Sequence, residues 1–208
     1  MEKLCQAGFQ KIDKYIIVRA TDNGLIEHVG LDKNVEYGER WPVFTLGVGI
    51  QVTANACMIS ECVELGCSFR AFVGDQKLYH YSTEEKTRES FADIVMLMDN
   101  YVMPWLNEML DEEKALEAFM YPLENPDRNP TGHSDYELLL AGILAMRYGR
   151  LDLARELIDK GRKSIRGTPE GMDYGNMLMD LAIKATREEQ QDYIAFAEKK
   201  AKAILNIK

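Results

Sequence analysis

The feature that most constrains the fold of this chain is a change of residue pattern near Ser82. Before it, short runs are rich in β-branched and aromatic residues; after it, apolar residues recur at three- and four-residue steps almost to Lys208. The first pattern is typical of strands and the second of amphipathic helices. The sequence therefore predicts an α+β protein: an N-terminal antiparallel sheet covered by a long helix, then an all-α part of helical hairpins.

Turn residues divide the first half into short elements. Asp22-Asn23-Gly24 contains residues that accept positive φ, which predicts a hairpin between the first two strands. Gly8 is predicted to end a short helix that begins at Met1. The predicted strands are Tyr15–Ala20, Leu25–Leu31, Trp41–Val52, Ser68–Val73 and Leu78–Tyr81.

A long helix is predicted from Glu84 onward, because its apolar residues form one stripe able to cover a face of the sheet. The stripe consists of Phe91, Ile94, Val95, Met98, Val102, Trp105, Leu106 and Met109. Pro104 lacks an amide donor and crowds the carbonyl four residues earlier, so a kink or break is expected just before it. A second, acidic helix is expected over about Asp111–Met120.

Helix start and stop signals are dense in the last third. They are the capping boxes Ser134–Glu137 and Thr186–Glu189, the N-cap pair Thr168-Pro169, and the helix stops Gly149 and Gly167. They predict helices over about 135–148, 150–166, 170–185 and 187–206, paired as two hairpins. The small residues in them resemble tetratricopeptide-type hairpins, although any four-helix packing needs such residues. The predicted organisation is an α+β domain over 1–120, a proline-rich linker over 121–133 and a helical domain over 134–208.

Composition narrows the cellular setting. The longest apolar runs are far shorter than the roughly 20 residues of a membrane span, and the N-terminus lacks the order of a signal peptide, so a cytosolic protein is expected. Cys5, Cys57, Cys62 and Cys67 are too few for a disulfide framework. The spacing of the last three is wider than the close cysteine pairs of structural zinc sites, and no histidine completes a set, so no metal or cofactor is expected.

Charge is divided unevenly along the chain. Residues 1–146 contain 12 Lys and Arg against 24 Asp and Glu, whereas residues 147–208 contain 13 against 10. An acidic surface repels phosphate backbones, so no nucleic-acid partner is expected, and it attracts a basic protein; it also simply maintains solubility in many proteins. An acidic cluster, which equally fits a solvated helix start, is formed by Glu108, Asp111, Glu112, Glu113 and Glu117.

Five residues are candidates for binding. Arg19 and Arg70 each lie in an apolar strand run, where a guanidinium is solvated, is buried against a carboxylate, or faces a concave sheet and grips an anionic group. His80 is either a general base or an ordinary strand-end histidine. No nucleophile or orienting carboxylate can be assigned to it from the sequence, which favours the second alternative. Tyr79 and Trp41 are the aromatic members of the set.

An ordered set of motifs in the first 110 residues resembles a bacterial family of domains of unknown function. The set is Gly8-Phe9, the strand with Arg19, Phe44-Thr-Leu-Gly-Val48, Cys67-Ser-Phe-Arg70, Tyr79 and Pro104-Trp105-Leu106. Leu46 stands where the family has asparagine, and Tyr79 where tryptophan is common. The resemblance implies an α+β fold, a bacterial cytosolic setting and, for some members, a role in immunity to toxins; it supplies no catalytic residues.

These observations favour a non-catalytic module that binds another protein, and immunity to a basic protein toxin is its most specific form. The alternative is a hydrolase or ligand-binding protein with a pocket between sheet and helices around Arg19, Arg70 and His80. A third hypothesis is a self-associating protein that uses exposed apolar surface on the C-terminal hairpins.

Overall fold

The computed structural model describes residues 2–33, 43–54, 78–124, 134–164 and 169–207. It confirms the α+β class: within these ranges, five strands form an antiparallel sheet, and helices follow it. The strands are neighbours in sequence order: β1 Gln10–Lys11, β2 Ile16–Ala20, β3 Leu25–Lys33, β4 Val43–Val52 and β5 Tyr79–His80. The two-residue β1 was not predicted, and the predicted strand Ser68–Val73 lies outside the described residues.

The helices follow the predicted order. They are α1 Glu2–Gln6, α2 Glu84–Leu97, α3 Met103–Glu108, α4 Glu112–Glu124, α5 Ser134–Arg147, α6 Leu151–Ser164, α7 Pro169–Lys184 and α8 Arg187–Leu205. The last four agree with the predicted bounds to within two residues. α4 continues four residues beyond the predicted end at Met120 and includes Pro122. Among the residues described, no helix is both long and apolar enough to span a bilayer.

The β2–β3 hairpin turns where the sequence predicted. Thr21 N donates to Leu25 O at 2.9 Å, and Gly24 has a φ of 88°. This backbone conformation is one that glycine adopts without steric cost. The turn fixes the register of the hairpin, so that Arg19 lies opposite Glu27.

The long helix covers one face of the sheet, as predicted. Its buried residues pack on Ile17, Val29 and Leu46 of the sheet, and they are Ile94, Leu97, Met98, Val102 and Leu106. A π turn over Met98–Val102 separates α2 from α3, with Met103 N donating to Met98 O. The interruption expected just before Pro104 is therefore confirmed.

The opposite face of the sheet is partly covered by the end of the chain. Val18 and Ile26 form a small buried cluster with Ile207, which follows α8. Asn206 ends α8 with a φ of 53°. Asparagine is one of the few side chains that accept this left-handed conformation, and the turn brings Ile207 back onto the sheet.

The helical part has α5 at its centre. Residues 138–146 of α5 are all buried, because α4, α6, α7 and α8 contribute to the same core. Gly142 allows α5 and α6 to pack closely, because a Cβ at this position would lie 2.5 Å from Ile158 Cγ1 of α6. Leu25 and Val52 from the sheet end also belong to this core. The sheet and the helices therefore share buried surface, and the predicted division into domains stays a prediction.

Hydrogen bonds clamp the β2–β3 turn between the helices. Arg147 Nη2 donates to Asp22 O at 2.6 Å, and its Nε donates to Glu198 Oε1 at 2.7 Å. Asn23 O accepts from the Tyr148 hydroxyl at 3.0 Å. Burial raises the pKa of Tyr148, so the hydroxyl keeps its proton as a donor.

Candidate functional site

Arg19 lies in a buried ion pair, one of the three environments expected from its strand. Its Nε is 2.6 Å from Glu27 Oε2, and its Nη1 donates to Ala7 O at 3.1 Å. Asn107 Oδ1 lies 3.5 Å from Nη2, and the guanidinium carbon is 4.9 Å from the centre of the Phe9 ring. The arginine thereby connects α1, β2, β3 and α3.

The carboxylate of this pair is fully buried. Desolvation raises the pKa of Glu27, and the hydrogen bond and charge of Arg19 oppose that shift. Within the described part of the chain, Glu27 Oε1 has no hydrogen-bond partner. Removing one partner of such a pair is costly, because it leaves a lone charge in a largely buried position. The contacts given above join the end of α1 and α3 to the sheet.

Tyr79 and His80 lie at the other edge of the described sheet. The Tyr79 ring stacks on Phe44 with centroids 5.5 Å apart, and it is buried. Ser90 Oγ accepts from His80 N at 3.0 Å and donates to His80 O at 2.9 Å, which fixes β5 against α2. The His80 side chain is half-buried.

The structure does not bring Arg19 and His80 together. Two strands lie between β2 and β5, which separates them by about 14 Å across the sheet. The register adds seven residues along the strands, six from Glu27 opposite Arg19 to Lys33 opposite Phe44, and one more to Val43 opposite His80. This amounts to about 24 Å. One pocket cannot be lined by both side chains. Arg70 and Trp41 lie outside the described residues.

His28 is a buried histidine that the sequence did not single out as a site. It lies on β3 opposite Val18 and Gly49, so alternation along the strand directs it away from the face that α2 covers. The side chain is buried, and desolvation lowers the pKa of His28 to about 4. It is therefore neutral at physiological pH.

The predicted acidic cluster surrounds the start of α4 and is exposed. Asp111 caps the helix, since its Oδ1 accepts from the amides of Glu113 and Lys114 at 2.9 and 3.0 Å. Arg150 Nη1 donates to Glu113 Oε2 at 2.8 Å, and Lys114 Nζ donates to Glu117 Oε2 at 2.8 Å. Three of the predicted acidic residues, Asp111, Glu113 and Glu117, therefore make contacts within the protein. The set is completed by Glu108 and Glu112.

An exposed apolar surface on α2 is the feature that sequence reasoning missed. Phe91 and Val95 were predicted to lie in the stripe that covers the sheet, but they are 47% and 54% exposed. They lie one helical turn apart at the edge of the buried stripe, whose centre is Ile94, Leu97 and Met98. A straight helix can turn only one side toward the sheet. When Ile94, Leu97 and Met98 face the sheet, the residues beside them on the helix remain in solvent. The prediction was wrong for these two residues.

Neighbouring residues extend this surface. Ala92 and Met96 lie beside Phe91 and Val95 on the helix, and Met96 is 57% exposed. Tyr81 is also exposed and meets Phe91 through the Phe44 ring, since each ring centre lies 6.1 Å from that of Phe44. We call the set Tyr81, Phe91, Ala92, Val95 and Met96 the α2 face.

Acidic residues surround the α2 face. Glu85, Glu89 and Asp99 are exposed on the turns before and after the apolar residues. Arg88 lies on the same side, one turn before Ala92, and forms an ion pair with Glu84 at 2.9 Å. The face is therefore apolar at its centre and negative at its rim.

Within the described ranges, no group of three or more His, Cys, Asp or Glu residues is placed to hold a metal ion. Cys57, Cys62 and Cys67 lie outside those ranges. Comparison of the chain with family models, with curated proteins and with solved structures found no match. The resemblance of the first 110 residues to a family of domains of unknown function therefore stays a prediction.

Proposed function

We propose that this chain is a non-catalytic, cytosolic protein-binding module, and that the α2 face is its binding surface. One observation supports the proposal most strongly: apolar side chains that the helical pattern assigns to the core are exposed next to each other on α2. Contiguous exposed apolar surface with a polar rim is typical of interaction sites. Isolated exposed apolar residues are common. Phe91, Val95 and Met96, in contrast, are neighbours on the helix surface and form a patch.

The patch supplies the usual parts of a binding surface. Phe91 is anchored on Phe44 and needs little ordering when it is covered, so less conformational entropy is lost on binding. Fully burying a side chain of this size stabilises by about 1.5–3 kcal/mol, so covering the exposed half of Phe91 contributes about 1 kcal/mol. Val95 and Met96 add similar amounts, and the sum suits a hot spot within a larger contact.

The rim identifies the kind of partner. An acidic border attracts a protein whose own apolar patch is bordered by lysine or arginine, and it accelerates their encounter. Two copies of this chain joined through their α2 faces would bring acidic rims together, which disfavours that arrangement. The partner we infer is a different, basic protein. Neutralisation of a basic toxin by steric occlusion is the most specific form of this function.

Paired lysine substitutions test this proposal. Met96→Lys removes apolar area from the α2 face and repels a basic partner, whereas Ile183→Lys makes the same chemical change on α7 at the same exposure, 57%. The tagged wild type and both variants are used for affinity capture from the native cell lysate at low and high salt. We expect a basic protein to be retained by wild type and Ile183→Lys, to be lost with Met96→Lys and to be weakened by salt. Equal retention by all three chains would exclude the α2 face as the binding surface.

A further inference from the structure

The last helix carries a second exposed surface, independent of the α2 face. Residues recurring at three- and four-residue steps along α8 are all exposed, and we call them the α8 stripe: Glu189, Asp192, Phe196, Lys200 and Ala203. Phe196 at its centre is 67% exposed, the largest exposure among the large apolar side chains of the described residues. A single exposed aromatic ring is common on protein surfaces, but Phe196 lies between exposed charged residues of opposite sign on the same side of α8.

The orientation of the stripe is fixed by the fold. Ile194, Ala197 and Ala201 on the opposite side of α8 are buried in or against the helical core. A capping box closes the N-terminal end of α8, with Glu189 N donating to Thr186 Oγ1 at 3.2 Å. Rotation of α8 to hide Phe196 would expose these core residues, so the ring stays outside.

Charge along the stripe changes sign at Phe196. Asp192 lies one turn before the ring, and Lys200 lies one turn after it. Neither has an ion-pair partner among the described residues. Side chains four residues from a common centre lie on the same side of a helix. A second copy of α8, antiparallel to the first and related by a two-fold axis at Phe196, therefore places Asp192 of each copy opposite Lys200 of the other.

The apolar centre of the stripe is self-complementary as well. The two-fold axis brings the Phe196 rings of both copies together, in an arrangement that aromatic side chains favour at centroid distances of about 4.5–7 Å. Tyr193 flanks the ring and contacts Met177 of α7, with its hydroxyl 3.7 Å from Met177 Sδ. Met177 and Ile204 are themselves exposed, so they widen the apolar area on either side.

We propose that the α8 stripe is an interface between two copies of this chain, formed by antiparallel pairing of α8 about Phe196. A partner of one charge sign would satisfy only half of the stripe, whereas a second copy satisfies both halves. The contact is isologous, which gives a closed dimer. One helix pair is a small contact beside the roughly 1,200 Å² or more that stable complexes bury, so we expect a weak, reversible dimer.

Sedimentation equilibrium of the full chain at low salt, from about 1 to 500 μM, tests the dimer. Wild type is expected to rise from 23.8 kDa toward twice that mass. Asp192→Lys places two lysines opposite each other at both ends of the interface, and Lys200→Asp places two aspartates there. Each variant is expected to raise the Kd at least tenfold. Lys86→Asp, an exposed reversal on α2, is the control and should dimerise as wild type does.

The decisive sample is an equimolar mixture of the two variants. In a heterodimer of Asp192→Lys with Lys200→Asp, both contacts become attractive again, so we expect wild-type association to return although each variant alone stays monomeric. Circular dichroism confirms that each variant is folded. A wild type that remains at 23.8 kDa throughout, or a mixture that associates no better than its components, would overturn the proposal. Neither result bears on the α2 face, which this experiment leaves unchanged.

Discussion

The buried, neutral His28 makes a quantitative prediction about stability and pH. The pH is lowered. Protonation of His28 would then place a positive charge inside the protein, beside the apolar side chains of Val18 and Ile26. The pKa of His28 is lowered from 6.5 to about 4 by burial, whereas the unfolded chain keeps the ordinary value. As the pH falls, the unfolded chain therefore takes up this proton first.

The sign and size of the effect follow from that difference. The free energy of unfolding decreases as the pH falls through the window from 6.5 to about 4, and the contribution of His28 does not change further below it. The loss attributable to His28 amounts to about 2 kcal/mol by pH 5 and about 3 kcal/mol by pH 4. This is a large fraction of the 5–15 kcal/mol that stabilises a typical domain.

The contribution of His28 to stability is measured by urea unfolding of wild type and His28→Gln at intervals between pH 7.5 and 4. Glutamine does not titrate, and the carboxylates that also titrate in this range are common to both chains. The free energy of unfolding of wild type minus that of the variant is expected to be about 3 kcal/mol lower at pH 4 than at pH 7.5. A difference that does not change with pH would show that His28 becomes charged in the folded protein without a cost in stability.

Three further experiments test the ion pair, a helix contact and a helix cap, each by urea unfolding. Glu27→Leu should destabilise by about 3–5 kcal/mol because it leaves the Arg19 charge buried alone, and adding Arg19→Met should recover most of the loss; an additive double variant would contradict the ion pair. Gly142→Ala places a methyl group 2.5 Å from Ile158 Cγ1 and should cost about 1–3 kcal/mol, whereas a gain in stability would show that α5 and α6 separate easily. Thr186→Ala removes the cap of α8 and should cost about 1 kcal/mol; no change would mean that the capping box contributes nothing.

Local signals predicted much of the fold. Gly149 ends α5 with a φ of 75°, and Thr186 and Glu189 begin α8 with the capping box that their spacing indicated. Both signals act within a few residues, so they can be identified without knowledge of the tertiary structure. The hairpin at Asn23-Gly24 was predictable for the same reason.

Long-range features could not be obtained in this way. The partner of Arg19 is Glu27, eight residues away, and the pairing depends on the exact register of two strands. The exposure of Phe91 and Val95 depends on how α2 is rotated over the sheet, which the heptad-like pattern alone does not fix. The clustering of Ile207 with Val18 depends on the packing of the whole helical part against the sheet. The candidate binding surface belongs to this second group.

The most direct test of the binding role is site-specific photocrosslinking in the native cells. A photoreactive phenylalanine analogue is placed at Val95 on the α2 face or, as the control, at Ile183 on α7, which is equally accessible. If the α2 face binds a basic protein, position 95 gives one discrete adduct with that protein and position 183 gives none. The same adducts from both positions, or none from position 95, would contradict the assignment of the α2 face as the binding surface.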